Sequence, residues 1–152
     1  MKRTFTALTL VAAVLMLLSG CSSMEDDVLG TWQTTDSDGV TYVMHLNEGG
    51  GVLMEISNSD EGWAIEGGGQ WELAKADNGN YFIECWYTTC VGREGDKYQT
   101  YQVIDDYFRN NNKELRLAHS NNQLCGDEIL SLEGDTMVTD AGEKCTWQRI
   151  EK

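Results

Sequence analysis

Along residues 40–46, VTYVMHL, apolar side chains recur at every second position, so that Val40, Tyr42, Met44 and Leu46 share one face. After Glu48-Gly49-Gly50-Gly51 the alternation resumes, with Val52, Met54 and Ile56 aligned. Tyr81, Ile83, Cys85 and Tyr87 then lie opposite Phe82, Glu84 and Trp86. A period of two is that of a half-buried strand, because successive Cβ atoms point to opposite faces. Further strands are expected around 98–104, 114–119, 128–132, 136–139 and 144–150. Turn signals separate the apolar runs at Ser37-Asp38-Gly39, Asp77-Asn78-Gly79-Asn80, Glu133-Gly134-Asp135 and Ala141-Gly142. The segment 105–113, DDYFRNNNK, reads as a helical turn or a polar loop, and no long helix is expected. With no proline anywhere, glycine does nearly all the punctuation. Eight to ten short strands at this spacing predict an all-β antiparallel domain, closed as a barrel or stacked as a sandwich.

The amino terminus follows another pattern. Met1-Lys2-Arg3 is basic, residues 7–18 (ALTLVAAVLMLL) carry no charge, and small residues Ser19 and Gly20 precede Cys21. That is the layout of a secretory signal over 1–20, shorter than the roughly 20 apolar residues of a membrane span. Leu18-Ser19-Gly20-Cys21 resembles the lipobox of bacterial lipoproteins. The resemblance implies that the Cys21 thiol is lipidated, the leader is removed and the new terminus is acylated. Several acyl chains anchor a protein stably, at about 0.8 kcal/mol per buried CH₂. Ser22, where aspartate would favour inner-membrane retention, implies the outer membrane, with the protein facing the periplasm. Residues 21–27 then read as lipidated cysteine and short tether, and 28–152 as one domain.

Composition narrows the partners. Removing residues 1–20 takes Lys2 and Arg3 from the 11 basic residues, leaving 9 against 25 acidic ones and a net charge of −16. Such a chain is unsuited to nucleic acid, whose phosphates are bound by Lys and Arg. An acidic surface suits solubility, or steering towards a cationic partner. Cys85, Cys90, Cys125 and Cys145 form an even set, which in an oxidising compartment predicts two disulfides. Three connectivities are open. Cys85–Cys90 across a strand end with Cys125–Cys145 between later strands is the favoured one, the latter loop contributing roughly 3 kcal/mol.

The domain opens with Val28-Leu29-Gly30-Thr31-Trp32, echoed by Gly69-Gln70-Trp71, and ends with Cys145-Thr146-Trp147-Gln148-Arg149-Ile150. This resembles the small bacterial lipocalin-like families, which have Gly-x-Trp on the first strand, a glycine-rich turn after the second and an aromatic-x-Arg final strand. The resemblance favours the small antiparallel up-and-down β-barrel over the sandwich. It gives Gly30, Trp32 and Arg149 a structural, barrel-closing role: glycine permits close approach, the indole plugs the floor, and the arginine lies across it. The inward Tyr42, Met44, Met54, Ile56, Tyr81 and Tyr87 are bulky enough to fill a small barrel.

Catalytic signatures are sparse. His45 falls on the polar side of its strand, and His119 shares a side with Leu115 and Leu117, where a core or rim histidine is expected. No Gly-x-Ser-x-Gly, phosphate loop or His-Glu-x-x-His is present. The pairs Asp26-Asp27, Asp105-Asp106 and Asp127-Glu128 split between faces if extended, and the acidic loops match no EF-hand. Neither an enzyme nor a metal or cofactor is expected. Two functions stand: a membrane-tethered lipocalin-like module holding a small apolar or amphipathic molecule, or an envelope protein-interaction module with a packed barrel and a cationic partner. A cavity above about 300 Å³ would favour the first.

Overall fold

The computed structural model describes residues 23–92 and 98–152; the leader, Cys21 and Ser22 lie outside the described residues. Eight strands run β1 (Gly30–Thr35), β2 (Thr41–Leu46), β3 (Gly51–Asn58), β4 (Trp63–Lys75), β5 (Tyr81–Gly92), β6 (Asp127–Glu133), β7 (Thr136–Asp140) and β8 (Lys144–Glu151). They form a closed antiparallel up-and-down barrel in sequence order, with β8 pairing back onto β1. Closure leaves no free sheet edge around most of the circumference.

Register puts one set of side chains inside. Trp32 opposes Met44, Met44 opposes Met54, Ile56 opposes Ile65, and Met137 opposes Trp147. These residues form one buried core with Val28, Leu46, Val52, Trp63, Trp71, Ile83, Tyr87, Phe108 and Ile129. The long β4 escapes the alternation rule because Gly67-Gly68-Gly69 removes three side chains from its middle. On β5, Thr88 is an extra residue between the partners of Gly68 and Gly69, so both Tyr87 and Cys90 oppose inward glycines.

Two helices replace expected extended segments. The tether sequence forms α1 (Met24–Val28), started by a capping box in which the Ser23 hydroxyl accepts from the Asp26 backbone N–H and the Asp26 carboxylate accepts from that of Ser23. Val28 is completely buried, and its carbonyl accepts from the Trp32 indole Nε1 at 2.7 Å. This short helix is therefore the floor of the barrel. Arg149 locks it: the guanidinium lies over the Trp32 ring at 4.2 Å and donates to the Leu29 and Asp27 carbonyls. Gly30, with φ of 122°, packs so tightly there that a Cβ would lie 2.6 Å from the Glu151 carbonyl oxygen.

The strands expected at 98–104 and 114–119 are instead one helix, α2 (Tyr98–Ser120), which also absorbs DDYFRNNNK. Its inner face runs through Tyr101, Ile104, Phe108, Asn111, Asn112 and Leu115, a helical spacing of three or four. Asn122, at φ of 54°, follows its end. The placement has a cause. β5 and β6 pair only over Tyr81–Ile83 against Asp127–Ile129, so the upper half of β5 needs other partners. Asn112 gives Tyr87 both: its Oδ1 accepts from the Tyr87 N–H at 2.9 Å and its Nδ2 donates to the Tyr87 carbonyl. Asn111 Nδ2 donates to the Cys85 carbonyl. Two carboxamides thus replace a missing strand, and Phe108 passes through the gap to cover Gly67.

Candidate ligand cavity at the barrel mouth

The barrel is solid at its floor and hollow at the opposite end. There an open cavity of about 660 Å³ is lined by Thr34, Tyr42, Met54, Thr139, Cys145 and Trp147 from the strands and Tyr107 from α2, with Asp127 on its wall. Several of these positions follow from the same inward register that builds the core, since Thr34 opposes Tyr42 and Thr139 opposes Cys145. The polar groups are mostly engaged. Trp147 Nε1 donates to Thr139 Oγ1 at 3.1 Å, the Tyr42 hydroxyl donates to Asp36 at 3.3 Å, and Cys145 Sγ donates to Thr34 Oγ1 at 3.5 Å.

Asp127 differs. It opposes the buried Ile83 at the first position of β6, which turns its side chain inward. The residue is partly exposed, yet partial removal of its carboxyl group from bulk water raises its pKa from 3.8 to about 6. Burial, then Asp127, pushes the Cys85 thiol up to about 12. Burial, then Asp127, likewise takes the hydroxyl end of the half-exposed Tyr107 to about 12. Tyr87 is raised too, by burial first and the adjacent Cys85 second. A thiol so raised is no nucleophile at physiological pH. Asp127-Glu128 does divide between faces: Glu128 accepts from Asn80 Nδ2 outside.

A buried carboxylate, Glu84, points outward beneath the end of α2. Its Oε2 meets His119 Nε2 at 2.7 Å and its Oε1 accepts from the Cys125 N–H at 2.8 Å. Donor atoms of Glu72, Glu84 and His119 lie within 4.8 Å of one another, the one such group with metal-ligand composition among the described residues. Since both Glu84 oxygens are already engaged, the cluster serves as a buttress that fastens helix to sheet. Helical geometry corrects the strand reading here: Leu115 is fully buried while Leu117 is largely exposed. His45 lies on the outer face of β2, its Nδ1 3.0 Å from Thr31 Oγ1.

The four cysteines of the barrel stand apart in the structure. All four described thiols are free. Cys85 and Cys90 sit on one strand, five residues apart, a separation of about 16 Å at about 3.3 Å per residue, against a bridging limit of about 7 Å between Cα atoms. Cys125 lies beside Glu84 under the helix, whereas Cys145 faces Thr34 in the mouth.

Sequence reasoning anticipated Tyr42, Met54 and Cys145 as inward or structural residues but missed Tyr107 and Asp127 as cavity residues. Tyr107 was hidden by the absence of a predicted helix. For Asp127 a signal existed: it sits two residues before Ile129 in the alternation of β6. Comparison of the chain with family models, curated proteins and solved structures yields no match.

Proposed function

We propose that the chain is an outer-membrane-anchored lipoprotein whose lipocalin-like barrel holds a small apolar or amphipathic molecule in the cavity at its mouth. The observation that carries this reading is the cavity itself: about 660 Å³ falls within the roughly 300–1,000 Å³ of small-molecule sites. A barrel of this size is often packed solid, and the lower half of this one is; the hollow is confined to one end. The path of the chain supports the anchoring half of the proposal. Ser23 caps the floor helix, only two positions after Cys21. A lipid on Cys21 would hold the floor against the bilayer and leave the mouth facing the aqueous side, where it would take its ligand.

The interaction-module reading has one observation in its favour. On α2, Val103 and Leu117 are 66% and 62% exposed, large apolar residues left on the surface of the described residues. Native mass spectrometry of the detergent-extracted protein tests both readings. A copurifying small molecule, lost in the mouth-filling variant Thr34→Trp, is expected. A bare mass together with specific capture of one basic protein would replace the binder with the interaction module. The same spectra report the amino terminus, expected as a triacylated Cys21; an unmodified chain beginning elsewhere would refute the anchor.

A further inference from the structure

Two carboxylates set into this barrel, Glu84 and Asp127, are treated in opposite ways. Glu84 has both oxygens occupied, by His119 Nε2 and the Cys125 N–H. Asp127 is half-buried and turned inward opposite Ile83, yet among the described residues no donor and no cation sits on its carboxyl group. Burying an unpaired carboxylate is costly, and folded proteins avoid it by pairing or by neutralising the group. A purely structural Asp127 would be expected to resemble Glu84.

Its setting names what is missing. The side chain stands on the wall of the mouth cavity, beside Tyr107. Among the described residues, the rim adds two more carboxylates, Asp36 and Glu143, against one cation, Lys144. The remaining lining is neutral and includes Tyr42, Tyr107 and Trp147, whose ring faces attract cations. An anion would meet three like charges there, whereas a neutral apolar molecule would leave Asp127 unpaired.

Resting on the binding function proposed above, we propose that the molecule held at the mouth is an amphipathic cation: an ammonium- or guanidinium-type head on the Asp127 carboxylate, and an apolar body in the cup formed by Met54, Tyr42 and Trp147. Without ligand the carboxylate is left without a counter-charge among the described residues, and the cationic head supplies it.

The test is a matched set of ligands, decylamine, decanol and decanoate, titrated calorimetrically below their aggregation concentrations into the full mature protein and into Asp127→Asn. Decylamine is expected to bind the unaltered protein about ten-fold or more tightly than decanol, as for a charge-assisted hydrogen bond in a desolvated site. Asp127→Asn should abolish that preference and, by removing the unpaired carboxylate, leave decanol bound at least as tightly; a cooperative urea transition shows that the variant is folded. The rim variant Glu143→Gln should change decylamine affinity little, and less in salt, because exposed charges are screened. Equal binding of decylamine and decanol, tighter binding of decanoate, or a preference that survives Asp127→Asn would overturn the counter-ion while leaving the binding reading intact. Failure of all three to bind would overturn both.

Discussion

At its floor this barrel closes with its own strands; at its mouth it borrows a helix. Below, β8 returns to β1, α1 fills the opening, and Arg149 ties helix, indole and strand together. Above, β6 has parted from β5, and α2 supplies amides, an aromatic plug and one wall of a cavity. At the floor the main groups find partners inside the fold: the Trp32 indole on Val28, and the Arg149 guanidinium on Leu29, Asp27 and the Trp32 ring. The mouth is where Asp127 does not. The difference separates stability from function: residues that complete the floor should matter to folding, and residues at the mouth to binding.

The sharpest way to break that division is Trp32→Ala. The indole is completely buried, bonded to Val28 and covered by Arg149. Truncating it leaves a cavity and strands the guanidinium, and should cost about 3–5 kcal/mol in urea unfolding. Ligand affinity of the fraction that stays folded should be unchanged. A loss of affinity with stability preserved would show that floor and mouth are not the separate units described here.

Legibility in the sequence follows the same line. Where a strand pairs on both sides and buries one face, period two is enforced, and β2, β3, β7 and β8 could be read directly from it. The floor was legible only through the resemblance of Gly30-Thr31-Trp32 and Trp147-Gln148-Arg149 to family motifs; the contact of Arg149 with Trp32 is made in the fold. The mouth obeys a mixed rule. Asn111 and Asn112 occupy inward positions of α2 because they bond to a strand edge, so the apolar stripe from Tyr101 to Leu115 is broken where the helix docks. The triple glycine of β4 conceals a strand for the complementary reason: the side chain that fills its space, Phe108, belongs to the helix. Local pattern cannot disclose a contact made across forty residues.

That contact gives the second prediction. A Cβ on Gly67 would lie 2.4 Å from Phe108 Cζ. Gly67→Ala should therefore destabilise by about 1–3 kcal/mol through overpacking. In a Phe108→Leu background the penalty should shrink, giving a double-mutant coupling of about 0.5–3 kcal/mol. Additive losses would mean that the ring does not plug the gap between β5 and β6. Hydrogen exchange at the Tyr87 amide, which Asn112 protects, should accelerate in the single variant as the helix is pushed outward.

The smallest expected effect addresses the mouth most directly. Burial raises the Asp127 carboxyl from 3.8 to about 6. A carboxyl raised in the folded state binds more protons there than in the unfolded chain between those two values. Stability must therefore fall as pH rises from about 4 to about 6, the reverse of the usual carboxylate behaviour. Two pKa units correspond to roughly 3 kcal/mol at most, and water in the open cavity should reduce this to about 1–2 kcal/mol. Cys85 and Tyr107, at about 12, keep their protons throughout this window, so neither supplies the change. Asp127→Asn should flatten that part of the curve and leave the variant the more stable protein above pH 6, as read from urea midpoints between pH 4 and 7. A bound cation should do the same to the unaltered protein by repaying the carboxylate's desolvation. If the asparagine variant is no more stable at neutral pH, Asp127 is already satisfied within the fold, and the mouth is as self-sufficient as the floor.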